Sequence, residues 1–127
     1  MTQLVKDSLY NDMSEPEKQV ANYLKELGLW WTYESPVFIY DDKGRPRVWT
    51  PDFYLPKLGM YVEVQGTDKH AEDYEFRKKM YLKNNYSIIF IEFYKESKWK
   101  DVLVKTLIQI EEQRHDEVMK MLLSLKF

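Results

Sequence analysis

The 127-residue chain is 44% hydrophobic and 16% aromatic, with 31% charged residues, which is enough apolar material for one sizeable core and too little for two. It has no cysteine and two histidines far apart in the chain, which excludes disulfides and thiolate zinc sites and leaves any bound metal to hard oxygen ligands. A formal net charge of −2 argues against a generally basic nucleic-acid binder, and with no bilayer-length apolar run and no signal-peptide pattern at the start, a single cytoplasmic domain over residues 1–127 is the expectation.

Ser14, Glu15, Pro16 and Glu17 form a capping-box start, with Ser14 at the N-cap and Glu17 at N3. Val20, Ala21, Leu24 and Leu27 then recur at helical spacing up to Gly28, a suitable C-cap residue. Residues 30–40 favour a strand interrupted near Ser35 and Pro36, and 41–44 form a turn, so a hairpin follows. Residues 48–55 and 60–65 read as two more strands around a tight turn at 56–59. Alternation puts Met60, Val62 and Val64 on one face and Tyr61, Glu63 and Gln65 on the other, with Asp52 and Tyr54 sharing a face opposite Phe53 and Leu55.

Residues 68–84 are rich in helix formers, with Ala71, Tyr74, Tyr81 and Leu82 as the expected buried stripe. The apolar run 87–93 has strand length and is expected at the sheet centre. A long helix completes the chain over residues 97–127, carried by Val104, Leu107, Ile108, Val118, Met121, Leu122 and Leu125. The predicted fold is α/β: a mixed sheet of about four strands flanked by helices in the order α-β-β-β-α-β, followed by the long C-terminal helix.

Whole-chain charge hides a local asymmetry. Acids gather at 7–17 and 111–117, whereas Lys43, Arg45, Arg47, Lys57, Lys69, Arg77, Lys78 and Lys79 lie in the middle, interleaved with Trp30, Trp31, Trp49 and Tyr54. Three carboxylates can converge there. Asp52 and Glu63 belong to one face of neighbouring strands, Glu17 comes from the first helix, and the Val64 carbonyl can complete a shell of the kind Mg²⁺ accepts. Such a cation polarises a phosphodiester and activates water. A capping box by itself also asks for Glu at position 17, and the Arg45 and Arg47 hairpin tip is either a phosphate grip or a solvated turn. Tyr54 shares the face of Asp52 and is expected near substrate, while His70 is expected at the surface.

Thr50-Pro51-Asp52-Phe53 followed by Val62-Glu63-Val64-Gln65-Gly66, with Ser14-Glu15-Pro16-Glu17 upstream, resembles the PD-(D/E)XK nuclease signature in its "TPDF … VEVKG" form. Over residues 14–93 the progression is most similar to the phage endonuclease I Holliday-junction resolvases, and transposon end-cutting nucleases share the TPDF segment. The resemblance implies a restriction-endonuclease-like core and an endodeoxyribonuclease using Mg²⁺, with Mn²⁺ as substitute. It makes Glu17, Asp52, Glu63 and Gln65 catalytic, and Glu17, Asp52, Glu63 and Val64 the metal ligands. DNA contacts would come from Arg45, Arg47, Tyr54, Lys69, Arg77 and Lys78. Gln65 departs from the pattern, which has lysine there. An amide orients water but carries no charge, so Lys69 or Lys78 is the candidate replacement cation.

The expected substrate is branched or structured DNA in recombination, repair or replication of a virus or mobile element, since so short a chain has no separate sequence-reading domain. The alternative is a catalytically silent nuclease fold serving as a DNA-binding or assembly subunit. Cutting both strands with one site per chain implies a homodimer, with Leu103, Leu107, Ile110, Val118, Met121 and Leu125 as its expected contact.

Overall fold

The computed structural model describes residues 9–95 and 97–125. Its elements are α1 (Glu15–Glu26), β1 (Thr32–Tyr33), β2 (Val37–Tyr40), β3 (Pro46–Trp49), β4 (Phe53–Leu55), β5 (Met60–Gln65), α2 (Ala71–Lys83), β6 (Ile88–Glu92) and α3 (Trp99–Ser124). Four strands make a mixed sheet in the order β1-β4-β5-β6, antiparallel except for the parallel β5–β6 pair, and β2–β3 form a separate two-stranded ribbon.

Local chemistry accounts for α1. The Ser14 hydroxyl accepts the Glu17 N–H and the Glu17 carboxylate accepts the Ser14 N–H, closing the capping box. The chain leaves the helix through Gly28 at φ +77°, a left-handed conformation that glycine adopts without steric cost. Val20, Ala21 and Leu24 are fully buried and pack with Phe53, Leu55, Met60, Val62 and Val64 of the sheet and Leu103 and Leu107 of α3. The second face of the sheet is covered by α2 and the ribbon, where Val37, Ile39, Met80, Tyr81 and Ile88 form a separate core with Trp49, Tyr61, Tyr86 and Phe90 around it.

Three expectations are corrected. Residues 48–55 do not form one strand: β3 and β4 lie in different sheets, with Pro51, which has no N–H to give a ladder, in the break between them. The apolar run at β6 sits at the sheet edge among the described strands. Its side chains are covered from both sides, since Ile89 and Ile91 join the α1–α3 core and Ile88 joins the α2 core. Coverage of both faces, rather than a strand on each side, is therefore what the run reports. On α2, Ala71 and Leu82 are exposed, and the inward positions are Met80 and Tyr81.

Helix α3 is tied to the domain along its first half. Trp99, Leu103 and Leu107 are buried, and the Arg114 guanidinium donates to the carbonyls of Leu58 and Gly59 in the β4–β5 turn. From residue 115 to 125 every side chain is exposed. No described helix is long and apolar enough to cross a membrane.

Candidate functional site

The β4–β5 hairpin pairs Phe53 with Val62, Tyr54 with Tyr61 and Leu55 with Met60, so the next step of the ladder brings Asp52 opposite Glu63. There the backbone pattern gives way to side chains. The Asp52 N–H donates to Glu63 Oε1 at 3.3 Å, and the Val64 N–H donates to Asp52 Oδ2 at 2.7 Å. Each acid thus stands in for a ladder carbonyl. The N–H and C=O of one strand residue point the same way, so the Val64 carbonyl is directed toward β4 as well.

Glu63 is 3% exposed and its Oε2 has no hydrogen-bond partner among the described residues. Arg77 on α2 is its counter-charge, with Nη1 at 3.6 Å from Oε2. The guanidinium lies against the rings of Tyr74 and Trp49, at 5.8 and 6.0 Å from their centroids. Burial, and then the negative charge of Glu63, pushes the Asp52 carboxyl far above the ordinary carboxylate range. Burial also raises Glu63, while its bond to Asp52 and the charge on Arg77 pull it back. With Asp52 half-buried and Glu63 buried beside it, ionising the second acid next to the first is disfavoured.

Glu17 stands at the rim. Helix α1 covers the sheet face opposite to that of Asp52 and Glu63, and only its N-terminus comes near: a side-chain carbon placed on Gly66, just past β5, would meet Pro16 Cγ at 3.4 Å. Both Glu17 oxygens are engaged, Oε1 by the Ser14 N–H and Oε2 by the Tyr33 hydroxyl at 3.0 Å. Its charge still raises the carboxyls of Asp52 and Glu63. Among the described residues no three acids or histidines form a ready metal-ligand cluster, so the structure unites Asp52, Glu63 and the Val64 backbone and keeps Glu17 in electrostatic reach.

Gln65 is buried at 5% exposure on the face of Glu63. Tyr54 packs on Tyr61 with ring centroids 4.7 Å apart, on that face too. Lys69 and Lys78 are exposed and neither pairs with an acid among the described residues, so the cation found at the acids is Arg77. Arg45 and Arg47 are at the far end of β3 from Trp49. Their Nε–H groups donate to Asp41 Oδ2 at 3.1 and 2.9 Å, while Asp41 Oδ1 accepts the Lys43 and Arg45 N–H groups. Those bonds, led by the Arg45 backbone, hold the buried Asp41 carboxyl well below its usual range, and the tip is a knotted turn. His70 is exposed, with Nδ1 3.9 Å from Asp73. Of the tryptophans, Trp31 and Trp49 pack while Trp30 is 83% exposed.

The donors present fit a hard divalent cation. Mg²⁺ takes one or two carboxylates and completes its octahedron with water and substrate phosphate; here two carboxylates adjoin and one buried oxygen has no hydrogen-bond partner among the described residues. Arg77, expected as a DNA contact, is the residue that the packing of α2 across the sheet brings to Glu63. The chain matches no protein-family model, no curated protein and no solved structure.

The raised carboxyls make stability pH-dependent. Unfolded, both acids release their protons in the ordinary carboxylate range; folded, the pair keeps one to higher pH. A raised folded-state value means stability that is complete at acid pH and is lost as pH rises, by up to about 1.4 kcal/mol per unit per proton. With metal chelated, the melting temperature of the wild type should fall from about pH 5 to about pH 8 more than that of Asp52→Asn, in which no buried acid pair has to ionise. Parallel melting curves for the two proteins would show that the pair is not protonated.

Proposed function

We propose that the protein is a metal-dependent DNA endonuclease of the PD-(D/E)XK type, with a restriction-endonuclease-like core formed by α1, the sheet and α2. The observation that carries the reading is the mutual engagement of two carboxylates, half-buried Asp52 and buried Glu63, each through the other's strand. The order of helix, three antiparallel strands, helix and parallel strand agrees with it, as does the run from Thr50 to Gly66.

Asp52, Glu63 and the Val64 carbonyl would hold Mg²⁺ or Mn²⁺. The bound cation would polarise the phosphodiester and lower the pKa of a coordinated water. Burial keeps the two acids on one geometry, Glu17 adds negative potential that favours a cation, and Gln65 is placed to orient water by its amide. Tyr54, partly exposed against Tyr61 on the face of the acids, would be the aromatic nearest a bound nucleotide. Branched or structured DNA is the proposed substrate class, for which backbone and shape rather than base edges would be read. Arg45 and Arg47, both tied to the one Asp41 carboxylate, would contribute less to DNA binding than Lys69 and Lys78, which pair with no acid among the described residues.

Asp52→Ala and Glu63→Ala should each lower cleavage about a hundredfold or more, the scale of losing a transition-state stabiliser, while far-ultraviolet dichroism shows the fold retained. Chelation should stop cleavage, Mg²⁺ or Mn²⁺ should restore it, and Ca²⁺ should support DNA binding without cutting. Full activity in either variant would end the assignment, and DNA binding with no cleavage under any of these metals would point to the silent subunit instead.

Two copies pairing through the end of α3 would bring two such sites to one DNA. Val118, Met121, Leu122, Leu123 and Leu125 are all exposed there, Leu123 at 78%, and an antiparallel partner sets the acids at 111–117 of one helix against Lys120 of the other. Leu103 and Leu107, expected in that contact, are spent on the core, and Ile110 packs against it. Light scattering at micromolar concentration should give a dimer that Met121→Glu with Leu125→Glu dissociates, and the wild type should linearise a plasmid-borne cruciform. A monomer that yields only nicked circles would rule out the pairing.

A further inference from the structure

Residue 65 occupies the place from which a lysine would put positive charge beside the reacting phosphate, and Gln65 puts none there. Positive charge nevertheless reaches the two acids, from another element. Arg77 Nη1 lies 3.6 Å from Glu63 Oε2, just outside hydrogen-bonding distance, and that oxygen has no partner of its own among the described residues. The guanidinium is held instead by ring faces, Tyr74 on its own helix and Trp49 from the ribbon. Its side chain is 46% exposed, so one edge of the fork faces the carboxylates and the other is open to solvent. An arginine placed to neutralise Glu63 would close a bidentate pair with it; this one is positioned beside the acids and left with donors free.

We infer that Arg77 is the cation of the reaction, supplying from α2 the charge that β5 lacks. This inference rests on the nuclease reading and assigns a residue within that same site. With a phosphodiester seated over Asp52 and Glu63, the guanidinium donates to a non-bridging phosphate oxygen. As the water oxygen bonds to phosphorus and the bond to one ester oxygen breaks, negative charge grows on that non-bridging oxygen, and a planar fork of fixed donors stabilises it. The attacking water gives up a proton to solvent and the departing ester oxygen takes one up, so the net change is the addition of one water. Trp49 and Tyr74 act as positioning residues that keep the fork from collapsing onto Glu63.

The test uses the full-length protein, a four-way DNA junction and the variants Arg77→Ala, Arg77→Lys, Gln65→Lys and Gln65→Lys with Arg77→Ala. Single-turnover cleavage is measured at saturating Mg²⁺, junction affinity in Ca²⁺, and Mg²⁺ binding to the free protein by calorimetry. Arg77→Ala should cut about a hundredfold or more slowly with the junction saturated by protein, a loss in rate beyond any fall in junction affinity, and with Mg²⁺ binding equal or tighter, because a competing cation has left Glu63. Arg77→Lys should retain part of the rate. The decisive variant is the double one: a lysine at 65 should return at least about tenfold of the lost rate, which a role in folding alone would not allow. Wild-type cleavage by Arg77→Ala would overturn the inference and leave the nuclease reading intact, as would a slow Arg77→Ala that Gln65→Lys fails to rescue. Absence of cleavage by the wild type at any metal concentration would overturn both.

Discussion

The site depends on two acids being placed where a backbone ladder would otherwise continue. Pro51 cannot donate to the neighbouring strand, and beside it, past the Phe53–Val62 end of the β4–β5 ladder, the hydrogen bonds pass through carboxylates: Asp52 takes the Val64 N–H and Glu63 takes the Asp52 N–H. A buried carboxylate is costly unless it is bonded, and here the fold and the site meet that demand with the same bonds. The geometry of the acids is therefore as rigid as the sheet that carries them. The remaining tension is electrostatic, since burial raises both carboxyls and mutual repulsion opposes ionising them together.

That constraint organises the layers around it. Helix α1 and the first half of α3 cover one face with aliphatic side chains, and this leaves the other to α2 and the β2–β3 ribbon, which bring aromatic rings and Arg77 to the acids. A chain with a net charge of −2 can thus present positive charge at one place. The arginines at the ribbon tip illustrate the opposite case: both are tied to Asp41, which organises a turn, and part of the basic look of residues 43–47 serves folding.

What was legible in the sequence is what is decided locally. The capping box of α1, the alternation along β5 and the two-residue interval between Glu63 and Gln65 all follow from periods of helix and strand, and the motif spacing brought Asp52 and Glu63 together correctly. The split between β3 and β4 was missed because Pro51 was read for its motif and not for its missing N–H. The edge position of β6 was missed because an apolar run reports coverage of faces, and helices supply that coverage as well as strands do. Arg77 was counted among the basic residues of its helix, but its meeting with Glu63 depends on how α2 lies across the sheet, which no local pattern encodes. For Glu17 the sequence offered two roles, and the structure displays the cap while its neighbourhood to the acids is felt through charge alone.

The central claim is that Asp52 and Glu63 form one cation site whose occupant replaces a proton. Calorimetric titration of the intact protein with Mn²⁺, repeated near pH 7 in buffers of different ionisation enthalpy, measures that exchange directly. The account predicts one ion bound per chain with release of about one proton, and the loss of both in Glu63→Gln. Binding that releases no proton, or that survives unchanged in Glu63→Gln, would contradict it.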